Sequence, residues 1–532
     1  MSVPEKPSVT VLLRLTWWKV AAAALAGLLC YLCFPPADLG PFAWVALIPL
    51  LFALTQVRPA GGFALGLIFG LVFMGFYAAF MLNYGYVPWI AGVIFQAVFF
   101  ALFGLIAAMC NRAPHPGSRV LSVAAAWTLV EMLRGGVGSL GFTIGDLGYS
   151  QHDQLPLLQT ASMVGHYGLG FFIALINSAV TQAGLAVAPG ILARPAMHPV
   201  FFARLAAKTA LGCYVVVLLL YVWGALVLRF APDPEAAEPI EAAVVQAVMG
   251  DSEGASRYDA EASLEAYLAL SRTIPETVDL IVWPEVAVPT FLNQSPELAN
   301  QIAQLAVEQS AWVLAGGHEM VDGAVHNTLY AFSPEGEMTD TYRKVILVPF
   351  GEMVPQRERF PWLAKFTLRK VDFTPGEGHK LLRLDEWRAG PLICFEGLFP
   401  HAVRENALLG ADFIVLATSD AWAAGTPEIA QHSATAPLRA VESGRYVVRA
   451  GTWGRSQIIT PFGEVLADVP VAEPGTAWAA IEARHDLTPY HRWGDMPMMM
   501  LCGIMLFVGL SGLPRLPQTR RSPEDAEPPQ GD

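Results

Sequence analysis

Three side chains in the second half of the sequence make a set that can move an acyl group. Cys394 closes the apolar run Pro391-Leu392-Ile393 and is followed by Phe395-Glu396-Gly397; Glu285 follows Ile281-Val282-Trp283-Pro284; Lys344 follows Tyr342-Arg343 and leads into Val348-Pro349-Phe350-Gly351-Glu352. In acyl transfer a thiolate attacks the carbonyl carbon and a carboxylate accepts the thiol proton. An ammonium group then holds the charge that develops on the carbonyl oxygen. A nearby ammonium also lowers a thiol's pKa. Each residue has a plainer reading: a strand-end cysteine is more often core, Glu285 suits a loop carboxylate and Lys344 a solvated surface charge. The other five of the six cysteines, Cys30, Cys33, Cys110, Cys213 and Cys502, lie in or beside apolar runs, where cysteine serves as a small buried hydrophobe.

The chain that must position these groups has 532 residues, of which 54% are hydrophobic and 15% charged, so much of it is expected in lipid. A net charge of -13 leaves no basic face for phosphates and excludes a nucleic-acid partner. A membrane helix needs roughly 20 apolar residues. Eight candidate spans emerge: Val20–Phe34, Phe42–Leu54, Phe63–Leu82, Trp89–Cys110, Val120–Leu133, Thr160–Val187, Ala206–Leu228 and Met496–Leu513. The second and fifth are short enough to be re-entrant or interfacial. Lys and Arg mark cytoplasmic loops, and here they fall in the loops after even-numbered spans: Arg58, then Arg112 and Arg119, then Arg194, Arg204 and Lys208. Both tails are basic as well, with Lys6, Arg14 and Lys19 at one end and Arg515, Arg520 and Arg521 at the other. Both ends are therefore expected in the cytoplasm, and the long segment between spans seven and eight, opening with Asp233, Glu235 and Glu238, on the opposite side. No small-residue cleavage site follows the first span, which reads as a signal anchor; the Pro- and acid-rich stretch after Pro514 reads as disordered.

From about Pro239 to Leu487 the hydrophobic period changes. Strands are expected at Ala242–Val248, Leu280–Trp283, Trp312–Gly316, Thr328–Phe332, Leu392–Phe395, Phe413–Ala417, Tyr446–Ala450 and Gln457–Thr460, and helices at Ala262–Ile274, Pro296–Gln309, Ala402–Leu409 and Ile429–Ser443. The alternation implies a layered α/β domain, in which ligands gather beyond the carboxyl ends of strands. The expected division is a membrane domain over residues 1–234, an outward α/β domain over 235–488, and a last helix with a cytoplasmic tail over 489–532. On the outward side an unpaired cysteine meets an oxidising compartment, which argues that the Cys394 thiol has a use.

Trp283-Pro284-Glu285, Tyr342-Arg343-Lys344 with Glu352 eight residues on, and Cys394-Phe395-Glu396 resemble the nitrilase superfamily and, within it, the apolipoprotein N-acyltransferase family. Gly141-Phe142-Thr143 through Gly148-Tyr149-Ser150, and Leu158-Gln159 through Gly165-His166-Tyr167-Gly168, look like that family's outer loop and sixth helix. The resemblance implies an αββα nitrilase-like sandwich on the extracytoplasmic side, joined to about eight transmembrane helices in a bacterial inner membrane. It implies Glu285, Lys344 and Cys394 as catalytic triad, with Glu352, Glu396 and Phe395 in support. Ser419-Asp420-Ala421-Trp422 and Arg439 through Arg445 would build the wall of the site and the helix after it. The implied reaction takes an acyl chain from a phospholipid such as phosphatidylethanolamine onto Cys394 as a thioester. It then passes the chain to the α-amino group of a diacylglyceryl-cysteine apolipoprotein, without metal or cofactor, and a monomer suffices.

The sequence departs from the family pattern in three places. Phe395 stands where Tyr is usual; the family's early Trp has no match among Gly250, Gly254, Arg257 and Tyr258, leaving Tyr258 as a substitute; and Gly451-Thr452-Trp453-Gly454-Arg455 replaces an Asn/Thr-rich segment. Mounting the site above the bilayer would leave acyl chains in hydrocarbon and avoid about 0.8 kcal/mol per CH₂ of extraction. Phe360, Trp362, Leu363 and Phe366 are candidate lid tips, or ordinary core. Glu131 and Arg134 read as a snorkelling interfacial pair, and His166 as structural. One alternative is a membrane-bound nitrilase-type amidase or hydrolase with water as acceptor. Another is a transporter or receptor, which would need broken spans and mid-membrane charge pairs.

Overall fold

A computed structural model of the chain describes residues 16–187, 199–231, 239–248, 259–367 and 371–511. The expectations on Lys6, Arg14, Arg194, Asp233, Glu235, Glu238, Gly250, Gly254, Arg257, Tyr258 and the tail beyond Pro514 lie outside these residues. The first half is helical: α1 (Trp17–Leu32), α2 (Ala43–Ala46), α3 (Ile48–Ala53), α4 (Pro59–Tyr77), α5 (Tyr86–Cys110), α6 (Pro116–Gly135), α7 (Leu155–Leu158), α8 (Ala161–Val187) and α9 (Pro199–Arg229). Among the described residues, four helices are long and apolar enough to cross a membrane: Pro59–Tyr77, Tyr86–Cys110, Ala161–Val187 and Val200–Arg229. Shorter apolar helices cover Trp17–Leu32, Gly40–Ala53 and Met496–Ser511. The second expected span is thus a broken segment, with Pro49 at the start of its longest piece. Only 11% of the apolar window of Val200–Arg229 is buried, so its outer face needs hydrocarbon rather than water around it.

Small residues set the closest approach in the bundle. Gly62, Gly66 and Gly70, four apart on α4, face α5 so tightly that a Cβ on Gly66 would lie 2.1 Å from the Phe100 carbonyl oxygen and one on Gly62 2.3 Å from that of Gly104. With no hydrophobic drive between helices in lipid, such backbone contact is what holds a pair together. Arg134 and Glu131 correct the expected snorkelling pair: both are buried, Arg134 pairs with Asp146 rather than with Glu131, and Glu131 accepts from the Leu147 amide. An arginine in apolar surroundings takes the anion that the fold brings to it.

The second half builds two six-stranded sheets from β1 (Ile240–Gln246), β2 (Leu280–Val282), β3 (Trp312–Val321), β4 (Ala324–Phe332), β5 (Met338–Arg343), β6 (Leu382–Leu384), β7 (Trp387–Ile393), β8 (Phe413–Ser419), β9 (Val447–Thr452), β10 (Ser456–Ile459), β11 (Val465–Val469) and β12 (Gly475–Ile481). Their orders are β12-β1-β2-β3-β4-β5 and β11-β10-β9-β8-β7-β6. In each sheet three central strands run parallel and the outer pairings are antiparallel. Alternation sorts the side chains: Leu280 and Val282 point between the sheets with Ile393, Phe413 and Val448, while Ile281 and Trp283 pack against α10 (Ala260–Ser271) and α11 (Pro296–Gln309). Outside the second sheet lie α12 (Pro400–Leu409), α13 (Glu428–Ser433) and α14 (Ala436–Ser443); Val403 and Leu438 join the same apolar cluster as the helical bundle. The remaining helices are α15 (Pro489–Trp493) and α16 (Met496–Ser511). The expected single helix Ile429–Ser443 is two, the second opening with Pro437 in its first turn.

Gly165 interrupts α8 with φ 67° and ψ -179°, a conformation that favours glycine. The break frees the His166 amide to donate to Glu442 Oε1 at 2.8 Å, across to α14. Replacing Gly66 with Val should separate α4 from α5 at a cost of about 1–3 kcal/mol. Thermal unfolding of the detergent-purified protein should fall by several degrees; an unchanged midpoint would refute the contact.

Candidate active site

The groups singled out in the sequence sit at the carboxyl ends of strands. Glu285 follows β2, Lys344 follows β5, Cys394 follows β7, and Ser419 ends β8. β5 pairs with β4 so that Lys344 lies opposite Asn327, its amide donating to the Asn327 carbonyl at 2.8 Å. Gly316 on β3 leaves room for the Glu285 loop, since a Cβ there would lie 2.2 Å from the Pro284 oxygen. The loops are strained: Val286 (φ 49°), Phe350 (φ 63°) and Cys394 (φ 52°) all adopt left-handed backbone, costing roughly 1–2 kcal/mol each for a residue with a Cβ. At Cys394 this sharp turn between strand and one-turn helix is the price of presenting the side chain at the sheet edge.

Lys344 is the hub. Its Nζ donates to Glu285 Oε1 and to Glu352 Oε1, each at 3.0 Å, and the residue is 1% exposed. Asn327 Nδ2 donates to the same two carboxylates, at 2.7 Å and 2.9 Å. The remaining oxygens are also satisfied: Glu285 Oε2 accepts from the Ser419 amide at 2.9 Å, and Glu352 Oε2 from the Val348 amide at 2.8 Å. Burial works against the Lys344 charge, but the two carboxylates outweigh it and its pKa is raised. Burial likewise opposes ionisation of Glu352, yet Lys344 and the Val348 amide hold its pKa below the usual range. Lys344 is therefore neither solvated nor a surface charge.

Cys394 is buried, and burial first, then the Glu285 charge, push its thiol well above the ordinary value; Lys344 pulls the other way and does not prevail. These influences favour the protonated thiol at rest. Glu396 does not touch Lys344. It accepts from the amides of Ile393, Val345 and Ile346 at 2.7, 2.7 and 3.0 Å and from the Tyr342 hydroxyl at 3.0 Å, tying the loops that carry Lys344 and Cys394. Phe395 packs edge-on against Phe399. Within the segment expected to form the site's wall, Asp420 is held by Arg449 at 2.8 Å and His432 at 2.7 Å, and these outweigh burial to bring its pKa to about 2. Phe360, Trp362 and Phe366 are exposed, so this segment is not core. Asn327 escaped the sequence reading; a polar residue opening the apolar run Thr328–Phe332 was its only signal.

A family profile described as the apolipoprotein N-acyltransferase N-terminal domain matches residues 26–179, and one described as carbon-nitrogen hydrolase matches residues 241–490. The described fold and these matches define a nitrilase-type domain joined to an apolar helical bundle. A Geobacter metallireducens protein named apolipoprotein N-acyltransferase is 31% identical over 493 residues, covering 89% of this chain and 91% of its own. A Pseudomonas putida protein of the same name is 30% identical over 505 residues, covering 91% and 95%. A Saccharomyces cerevisiae nitrilase-superfamily structure matches 47% of this chain and 93% of its own at 20% identity, with a TM-score of 0.37. The chain belongs to the apolipoprotein N-acyltransferase family.

The lowered pKa of Glu352 means that its stabilisation is complete above the ordinary carboxylate value of 4.5 and is lost as pH falls through the lowered one. Glu352→Gln should cost about 3–5 kcal/mol at neutral pH, by leaving the lysine under-compensated. In thermal melts the gap from the unaltered protein should close as pH is lowered below 4.5; a gap independent of pH would contradict the ion pair. Iodoacetamide should alkylate Cys394 slowly at neutral pH and faster as pH rises, measured by mass of the modified peptide.

Proposed function

We propose that this chain transfers an acyl chain from a phospholipid, through a Cys394 thioester, to the α-amino group of the N-terminal diacylglyceryl-cysteine of apolipoproteins. The supporting observation is the buried Lys344 ammonium shared by Glu285 and Glu352 beside the Cys394 thiol, in a chain of this family. In the first half-reaction Glu285 takes the thiol proton as sulfur attacks the donor's ester carbonyl, and Lys344 offsets the charge on the carbonyl oxygen. The ester C–O bond breaks and Glu285 returns the proton to the departing lysophospholipid oxygen. In the second, the acceptor's amine attacks the thioester carbonyl, Glu285 takes an amine proton, and the sulfur leaves as thiol. Glu352 keeps Lys344 charged and aimed; Glu396 holds the Cys394 and Lys344 loops in register; Phe395 buttresses the turn.

The reading includes eight membrane spans within residues 1–234 and 489–532, and an acyl-transfer domain over 235–488. That domain faces outward from a bacterial inner membrane, and the chain works as a monomer. The exposed apolar tips Phe360, Trp362 and Phe366 suit contact with the outer leaflet.

Purified protein mixed with phosphatidylethanolamine should gain an acyl mass on Cys394 that hydroxylamine removes, and should pass it to a diacylated lipopeptide. Cys394→Ala should abolish the adduct, and Lys344→Met should slow its formation by about 10²–10³-fold. Release of free fatty acid without transfer to the lipopeptide would favour the hydrolase instead.

A further inference from the structure

Helix α13 carries a polar face that the acyl-transfer chemistry leaves unused. Glu428, Gln431 and His432, at i, i+3 and i+4, share one side of the helix, and each is 2% exposed. Glu428 Oε2, Gln431 Oε1 and His432 Nε2 are all buried without a hydrogen-bond partner. Three orphan atoms on one helical face depart from the rule that buried polar groups are paired.

Their chemistry is uniform. Gln431 spends its amide nitrogen on the Pro35 carbonyl at 2.9 Å, so the atom left over is an acceptor. His432 Nδ1 lies 2.7 Å from Asp420 Oδ1, and Asp420 is an ionised carboxylate held by Arg449. Nδ1 then donates to that carboxylate, and in the neutral imidazole this leaves Nε2 as an acceptor. Glu428 adds a carboxyl oxygen. Burial, then the Asp420 charge, push the Glu428 pKa well up against the pull of Arg449, and an incoming cation would favour its ionised, accepting form. The cluster is linked electrostatically to the Cys394 site: Tyr84 is within reach of both Glu428 and Cys394, and Asp420 of Cys394. Trp422 packs on Phe80 and Tyr84.

A face that offers three acceptor atoms fits a ligand with several N–H donors and a positive charge. We propose that Glu428, Gln431 and His432 bind a primary ammonium group. Resting on the acyl-transfer reading, the site has two sources for that group: the ethanolamine head of a donor phospholipid, or the α-amino group of the acceptor before it attacks.

The test uses the full-length detergent-purified enzyme and Glu428→Gln. Thioester formation on Cys394 is timed with phosphatidylethanolamine and with phosphatidylglycerol, which has no ammonium. Transfer to a diacylated lipopeptide is then timed from thioester preformed with phosphatidylglycerol. A loss of about tenfold or more confined to phosphatidylethanolamine supports the site and assigns it to the donor. A comparable rise in the half-saturating lipopeptide concentration, with phosphatidylglycerol acylation retained, supports it and assigns it to the acceptor. Unchanged rates in every arm, or equal slowing in all of them, overturn the proposal. If Glu428→Gln lacks a cooperative thermal transition, Gln431→Leu goes through the same arms under the same criteria. An unaltered enzyme that forms no thioester from either lipid would instead sink the acyl-transfer reading.

Discussion

A lysine ammonium sealed from water survives as a charge only if anions lie within bonding distance, and this requirement at Lys344 organises the site. Two carboxylates must reach one nitrogen, so the turn after β2 and the loop after β5 are held to one geometry. Two like charges sharing a nitrogen repel each other, and Asn327 eases that by donating to both. The second sheet enters through the Ser419 amide, which binds the oxygen of Glu285 that Lys344 leaves free. The sulfur then needs no charge of its own at rest. Burial and the Glu285 charge favour its neutral thiol form.

The same logic extends toward the helical bundle. Arg134 meets Asp146, Asp146 meets His166 at 3.2 Å, and His166 meets Glu442 across the break at Gly165. Glu442 accepts from Arg439 at 3.0 Å, and Arg439 donates to the Leu398 carbonyl at 3.1 Å, four residues past Cys394. Thr143 and Tyr149 donate to that same carbonyl. A chain of buried bonds thus runs from a bundle helix to the loop that carries Cys394. Such fully buried networks rigidify what they connect, here fixing the sulfur relative to the apolar part of the molecule.

What the sequence carried, it carried through pattern. The change of hydrophobic period separated the helical half from the sandwich, and eight of the twelve strands were expected near their observed places. The four missed, β5, β6, β11 and β12, are edge or near-edge strands of mixed polarity, such as Met338–Arg343 with Asp340 inside it. An edge strand satisfies half its backbone in solvent, so its side chains need not alternate cleanly.

Glu285, Lys344 and Cys394 were legible as a candidate set from residue type and motif, because short segments around each are constrained locally by strand ends, Pro and Gly. Their electrostatic states were not. Whether Lys344 would be a hub, Cys394 a thiol rather than a thiolate, or Arg134 a partner of Asp146 rather than Glu131 depends on which groups meet across sheets and helices far apart in the chain. Charge and proton affinity follow distance and burial, and only the tertiary structure decides those.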